Sequence, residues 1–148
     1  GTRGLGYDVK QLIEMISERL GTKSLQPVVI VGIGNLGRAL LSYRGFEREG
    51  FEVVGAFDVQ SGRFPKEAPI QVQSMKVIPK VIDEHLVKMA ILCVPPTAAQ
   101  EVTNQLIEYG VVAILNFAPI VLSVPDEVTV NNVNLAMELE NLSYFINE

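Results

Sequence analysis

The sequence predicts an α/β fold in which helices cover both faces of a mostly parallel sheet. Three observations support this prediction. Short apolar runs that suit buried strands alternate with helical patterns along residues 25–134. A glycine-rich turn joins the first of these runs to the helix after it. The chain has 148 residues, enough for one domain with its own hydrophobic core.

The predicted strands are the apolar runs. The first run is apolar throughout, as a strand covered on both faces requires. Because helical patterns separate most of the runs, we expect right-handed crossovers and parallel pairing. In chain order the predicted strands span 28–32, 51–59, 70–75, 89–95, 111–119 and 127–133.

The predicted helices follow from apolar residues spaced three and four apart. Asp8 is a suitable N-cap for the first helix, Pro79 fits only in a first turn, and Gly110 can end the fourth helix. The helices are predicted over 8–21, 35–46, 76–88, 96–110 and 135–147. The last helix carries an apolar stripe that consists of Leu135, Leu139, Leu142 and Phe145 or Ile146.

Composition excludes several classes of protein. No stretch approaches the roughly 20 apolar residues of a membrane span, and the start has no signal-peptide pattern, so we expect a cytoplasmic protein. The net charge of −5 disfavours binding to nucleic acid by these residues alone. Cys93 is the only cysteine, which excludes an internal disulfide, and its apolar surroundings predict a buried, inert thiol. His85 lies in a polar stretch and is expected at the surface.

The glycine-rich turn is the clearest functional motif. Gly32, Gly34 and Gly37 form G-x-G-x-x-G between the first strand and its helix. The first glycine permits the tight turn, the second leaves room for a pyrophosphate at the backbone, and the third lets the helix pack close to the strand. Backbone N–H groups and the positive helix end face the phosphates. We therefore predict Rossmann-like dinucleotide binding at this turn, which also contains Ile33, Asn35 and Leu36.

An acidic residue at the end of the second strand extends this motif. Asp58 follows Gly37 by 21 residues, the spacing at which a carboxylate accepts hydrogen bonds from the adenosine ribose. The same carboxylate would repel a 2′-phosphate, which favours NAD(H) over NADP(H). Arg63 is close in sequence and would oppose this preference.

The ends of the fourth and fifth strands are the predicted walls of the cofactor site, because ligands of open α/β sheets bind at the carboxyl ends of strands. These walls offer Val94, Pro95, Asn116, Phe117 and Ala118, none of which is a useful proton donor. We therefore expect the cofactor to be a ligand and not a reagent, and we predict no catalytic residue, no metal site and no enzyme activity.

Six stretches carry a resemblance to a known family. In order they are RGLGYDV (3–9), VGIGNLGRALLSYRGF (31–46), AFDV (56–59), VPPTAAQEV (94–102), ILNFAP (114–119) and NLAMELENLSYF (134–145). Together they resemble the Rex family of bacterial redox-sensing transcriptional repressors, over essentially the whole chain. The resemblance implies a domain that binds NAD(H), senses the NADH/NAD⁺ ratio, and forms a homodimer by exchanging its last helix. NADH is then expected to close the dimer and to release operator DNA from a preceding winged-helix domain.

The resemblance also implies a division of the chain. Residues 1–7, which include Arg3, are expected to be the remnant of a wing, and residues 8–24 a connecting helix and linker. Residues 25–134 would form the Rossmann-like NAD(H)-binding domain, and residues 135–148 the dimerisation helix. The winged helix itself is not among these residues, so operator DNA is expected to be bound only through that domain.

One departure from the family concerns the switch between the two states. Asn134 stands where the family typically has an aspartate that reaches across the dimer to the tyrosine matching Tyr43. A neutral amide is expected to weaken that contact. The alternative is that Tyr43 packs in the core and Asn134 caps the last helix.

Two other functions remain open from sequence. A CoA-binding module shares this fold and a similar glycine turn, and it predicts tighter binding of CoA than of NADH. The cofactor half of a small dehydrogenase predicts a proton donor near Pro96 or Phe117, which the sequence does not offer.

Overall fold

The computed structural model describes residues 25–60 and 70–146, together with Val9. Six strands form one sheet in which every neighbouring pair is parallel, in the order β3-β2-β1-β4-β5-β6. The predicted α/β fold is therefore confirmed. The strands are β1 (Gln26–Val31), β2 (Phe51–Asp58), β3 (Val72–Ser74), β4 (Met89–Leu92), β5 (Ala113–Asn116) and β6 (Thr129–Asn132).

Four α-helices lie within the described residues. They are α1 (Asn35–Ser42), α2 (Ile78–His85), α3 (Pro96–Glu108) and α4 (Leu135–Ile146). Short 3-10 turns precede β2 and α2 at Glu47–Glu49 and Met75–Val77. The helix predicted over 8–21 and the two N-terminal segments 1–7 and 8–24 lie outside the described residues, apart from Val9.

The core lies on both faces of the sheet, because successive residues of a strand point to opposite sides. Val28 and Ile30 of β1 face a cluster that includes Leu40 of α1. Val29 and Val31 face the other cluster, which includes residues of α2 and α3. All four valine and isoleucine side chains of this strand are at most 2% exposed. This two-sided burial explains why the first strand is apolar throughout.

Helix α1, which was predicted over 35–46, is shorter than predicted. It ends at Ser42 and not at residue 46, because Tyr43 already has extended backbone angles (φ −71°, ψ 124°). The chain then passes through the 3-10 turn and reverses at Gly50, whose φ is +94°. A residue with a side chain adopts this left-handed region only at a cost. The glycine therefore allows the direct entry into β2.

The last helix forms where it is predicted, but its apolar stripe is not covered. Leu135, Leu139, Leu142 and Phe145 are each between 58% and 79% exposed. A monomeric protein rarely leaves such a continuous apolar surface in water. The stripe is therefore a surface without a counterpart in the described part of the chain.

Candidate functional site

The glycine turn begins at a point of backbone-on-backbone packing. Gly32 has a φ of +94°, and a Cβ atom there would lie 2.6 Å from the carbonyl carbon of Cys93 and 2.7 Å from the nitrogen of Val94. Its own N–H donates to the carbonyl oxygen of Phe57 at 2.8 Å. Gly32 thus joins the ends of β1, β2 and β4, and no other residue type fits.

The two other glycines have contrasting surroundings. A Cβ atom on Gly34 would meet nothing within 4 Å, so the backbone there can be approached from outside. A Cβ atom on Gly37 would collide with the carbonyl oxygen of Gly32, so this glycine allows α1 to pack on the turn. Gly34 is also the N-cap of α1, and no side chain caps it. The start of α1 therefore presents N–H groups and a positive dipole end to a phosphate.

Asp58 contacts the glycine turn directly. Its Oδ2 atom accepts a hydrogen bond from the Ile33 N–H at 2.7 Å, and its Oδ1 atom accepts one from the Gln60 N–H at 2.9 Å. Each carboxylate oxygen has a second lone pair, so both remain able to accept a ribose hydroxyl. The carboxylate thus also orders the two loops that flank it. Arg63, which would oppose the preference for NAD(H), lies outside the described residues.

The opposite wall is formed by the loops after β4 and β5. The Cys93 N–H donates to the Val31 oxygen at 2.8 Å, and the Phe117 N–H donates to the Leu92 oxygen at 2.9 Å. Val94 and Phe117 are half-buried, and Pro95 is exposed. The space between the glycine turn and these two loops is called the crevice below. Because β1 pairs with β2 on one side and with β4 on the other, the crevice lies at the point where the strand order reverses. Ligands of doubly wound sheets bind at such points.

Three predicted binding residues have their side chains inside the protein. Asn116 and Ile33 are each 0% exposed, and Ala118 is 6% exposed. The amide of Asn116 forms hydrogen bonds with the loop that follows it. Asn116 is therefore placed differently from the prediction: it positions the wall and its side chain does not line the crevice. Ile33 contributes its backbone to the glycine turn, and Ala118 contributes its backbone to the loop after β5.

Cys93 is half-buried beside the turn. Burial raises the pKa of its thiol to about 11, because the thiolate is poorly solvated there. The thiol is therefore protonated and unreactive at neutral pH.

His85 is exposed, as predicted. In the described part of the chain, no three acidic, histidine or cysteine side chains lie close enough to hold a metal ion.

Tyr43 and Asn134, which were predicted to take part in switching, lie at the end of α1 and directly before α4. Tyr43 follows the last residue of α1 and is 54% exposed, so the alternative that it packs in the core is wrong. Its ring meets that of Phe46 edge to face, at 5.0 Å between centroids. Asn134 directly precedes α4, and its carbonyl oxygen accepts the Glu138 N–H at 3.1 Å. It therefore occupies the N-cap position of the last helix.

The structure also contains a groove that sequence reasoning missed. It has a volume of about 500 Å³ and lies at the amino end of β2, whereas the glycine turn is at the carboxyl ends of the strands. The aromatic residues Tyr43, Phe46 and Phe51 contribute to its lining. Three aromatic residues within nine positions were the signal that could have indicated it. It lacks the glycine backbone and the carboxylate of the crevice.

No helix among the described residues has the length and apolar character to cross a membrane. The family described as "CoA binding domain" matches residues 23–120, about two thirds of the chain. This match agrees with the observed fold, because it includes the glycine turn and the first five strands.

Named relatives cover almost the whole chain. The redox-sensing transcriptional repressor Rex of Pelotomaculum thermopropionicum is 46% identical over 97% of this chain and 68% of its own length. Rex of Streptomyces avermitilis is 47% identical over 97% of this chain and 58% of its own length. The chain thus spans between about half and about two thirds of these two relatives, both of which are named as repressors and not as enzymes.

Solved structures agree with the sequence relatives. RSP, a Rex-family repressor, has a TM-score of 0.79 at 34% identity and covers 95% of this chain and 68% of its own. It was also solved with β-NADH, at a TM-score of 0.78, and with β-NAD⁺ and operator DNA. With the six-stranded parallel sheet, the glycine turn and these relatives taken together, the chain belongs to the Rex family of redox-sensing transcriptional repressors and contains a CoA binding domain fold.

Proposed function

We propose that this chain binds NAD(H) in the crevice between the glycine turn and the loops after β4 and β5. The observation that carries the proposal is the open backbone at Gly34 beside the carboxylate of Asp58, which is 2.7 Å from the Ile33 nitrogen. The turn would hold the pyrophosphate, and Asp58 the adenosine ribose. The turn comprises Gly32, Ile33, Gly34, Asn35, Leu36 and Gly37.

We propose that NADH binds more tightly than NAD⁺. The wall that would face the nicotinamide presents Val94, Pro95 and Phe117, and none of them carries a charge. Oxidised nicotinamide is positively charged, and removal of an unpaired charge from water is costly. The reduced ring is neutral and loses less solvation. The two redox forms of the nicotinamide ring differ by one positive charge, and an uncharged wall would therefore bind the reduced form more tightly.

We propose that the described domain is the sensing and dimerising part of a repressor. The uncovered stripe of α4 supports a homodimer in which this helix packs on the partner copy. NADH would favour the closed dimer and thereby release operator DNA in the whole protein. Consistent with the division given above, DNA binding would belong to a winged-helix domain ahead of these residues, and the protein would act in the cytoplasm.

CoA is the second candidate ligand. The name of the matching family supports it, and CoA also carries an adenosine and a pyrophosphate. It differs from NADH in having a pantetheine arm in place of the nicotinamide riboside and a 3′-phosphate on its adenosine ribose. Asp58 would repel a phosphate group placed at that ribose, which favours NADH over CoA.

The direct test is calorimetric titration of the purified chain with NADH, NAD⁺, NADPH and CoA at one salt concentration. We expect the affinity order NADH, NAD⁺, then NADPH and CoA. Equal affinities for NADH and NAD⁺ would contradict redox sensing by this domain. Tighter binding of CoA than of NADH would identify the crevice as a CoA site.

A further inference from the structure

Asn116 is a fully buried amide at the end of β5 whose side chain meets two different parts of the molecule. Its Oδ1 atom accepts the Ala118 N–H at 2.9 Å. Its Nδ2 group lies within hydrogen-bond distance of the oxygens of Ala118 and Ile120, at 3.1 and 3.2 Å. These contacts hold the loop after β5, which includes the crevice residue Phe117. This amide therefore holds the near part of the loop, from Ala118 to Ile120.

The same amide also reaches the strand that leads to the last helix. Nδ2 donates to Oδ1 of Asn132 at 3.0 Å, and the carbonyl oxygen of Asn116 accepts the Val133 N–H at 2.8 Å. Asn132 ends β6, and α4 begins three positions later at Leu135. Asn116 thus contacts the crevice wall and the entrance to the last helix at the same time.

The far part of this loop is fixed to α3 by a second amide. Gln100 accepts the Ser123 N–H at 2.8 Å and donates to the Ser123 oxygen at 2.9 Å. Leu122 packs into the core cluster beneath. The loop is thus held at its near end by Asn116 and at its far end by Gln100.

Burial makes the contacts of Asn116 mutually dependent. A buried donor or acceptor that loses its partner has no water to replace it, so the group is left unsatisfied. A shift of the Ala118 peptide that kept its bonds to Asn116 would therefore move the amide relative to Asn132. The loop and the end of β6 are expected to move together.

We propose that Asn116, acting through Asn132, is a positioning residue that links the crevice wall to the start of the last helix. The proposal rests on the proposed function in one respect, because it assigns the crevice to the cofactor and α4 to the dimer contact. It does not require that Asn116 touch the cofactor.

Substitutions at Asn132 test this link without disturbing the buried position. Asn132→Ala removes one of the three oxygens that accept from Nδ2, the one that belongs to β6, whereas Asn132→Asp keeps an acceptor oxygen there. Asn131→Ala is the matched control, because residue 131 pairs with Leu115 and points to the other face of the sheet. Both asparagines are exposed, so all three variants are expected to fold.

The first readout is amide hydrogen exchange in the chain without cofactor. We expect Asn132→Ala to speed exchange of the Ala118 N–H, on the far side of Asn116, by about three- to tenfold. Asn132→Asp and Asn131→Ala should leave this rate near that of the parent chain. An unchanged Ala118 rate in Asn132→Ala, or the same increase in Asn131→Ala, would overturn the proposal.

The second readout is the dimer dissociation constant with and without NADH. In the parent chain NADH should tighten the dimer, and Asn132→Ala should reduce that effect by about three- to tenfold while Asn132→Asp preserves it. An undiminished NADH effect in Asn132→Ala would overturn the link. If NADH has no effect on the parent dimer, the proposed function fails, and the exchange of Ala118 still decides whether the link exists.

Discussion

The crevice and the last helix differ in how much of their packing the described residues supply. At the crevice, the glycine turn is joined to three strands, and the buried Ile33 N–H is matched by a carboxylate 2.7 Å away. At the last helix, four large apolar side chains are more than half exposed. Within the described residues, the crevice has its packing partners and the last helix does not.

This difference teaches that the two regions are encoded in different ways. The crevice depends on local stereochemistry: a positive φ, a missing Cβ atom and a short carboxylate. These requirements are visible in a few letters of the sequence. The helix depends on a covering surface that the described residues do not provide, so its sequence indicates only that an apolar stripe needs cover.

The largest expected effect is loss of the proposed dimer when the last helix is removed. Deletion of residues 135–148 should abolish the dimer, because each of the four stripe residues contributes roughly 1.5–3 kcal/mol when buried. The remaining chain should still unfold cooperatively on heating. Light scattering measures the mass, and Asn141→Ala, on the same helix, is the control that should stay dimeric. A truncated chain that remains a well-folded dimer would show that another surface holds the copies together.

The next effect separates two glycines within the crevice. Gly32→Ala forces a Cβ atom into the Cys93–Val94 peptide at a positive φ, so we expect a loss of about 3 kcal/mol or more in stability. Gly34→Ala meets open space, so its melting temperature should be within about 2 °C of the parent chain, while NADH affinity falls. Differential scanning fluorimetry and calorimetry measure the two quantities. Similar melting temperatures for both variants would contradict the packing described at Gly32.

A smaller effect is expected at Asp58. Asp58→Ser removes the carboxylate that accepts the Ile33 N–H, leaves a shorter hydroxyl in its place, and removes the charge that disfavours a 2′-phosphate. NADH affinity should fall by about tenfold, and the preference for NADH over NADPH should narrow. Asp58→Asn, which retains an acceptor oxygen, serves as the comparison in the same titrations. If the ratio of NADH to NADPH affinity is the same in all three proteins, Asp58 does not face the ribose.

The prediction for Asn134 concerns both regions, because a substitution directly before the last helix is expected to change NADH affinity at the crevice. If it contacts Tyr43 of the partner copy, Asn134→Asp should raise NADH affinity by a few-fold, because a hydrogen bond with one ionised partner is stronger. Tyr43→Phe should abolish the gain. The exposure of Tyr43 leaves its hydroxyl accessible to such a contact. A double-mutant cycle with no coupling energy would leave Asn134 with only its N-cap position on α4.

The smallest effect concerns Cys93. Its folded-state pKa of about 11 lies above the ordinary thiol value, so the folded chain retains its proton more firmly than the unfolded chain does. The resulting stability is fully present below about pH 8.5 and is lost as pH rises toward 11. Alkylation by iodoacetamide should accordingly be slow at pH 7.5. Rapid labelling of the native chain at that pH would show that the thiol is not buried as described.

The sequence predicted the local geometry of the glycine turn better than the packing around it. The three glycines and Asp58 each need one residue type at one spacing, so the pattern alone indicated the tight turn, while their contact with a cofactor stays a prediction. Asn116 was different, because a polar residue at a strand end can point to the crevice or into the protein, and only the three-dimensional packing decides. The early end of α1 at Tyr43 was also missed, since helix propensity does not report the extended backbone that follows.

The contact of Gly32 with the Cys93–Val94 peptide has a consequence for how a sensor of this kind would respond. Walls that meet backbone to backbone leave a crevice that is already formed before a ligand arrives, so little ordering accompanies binding. In the proposed homodimer, the free energy of binding would then be available to change the arrangement of the two copies. Moving such an equilibrium from 1:99 to 99:1 takes about 5.5 kcal/mol of difference in ligand affinity. A stiff turn would in this way make the proposed dimer, and not the pocket, the part that changes when the ligand binds.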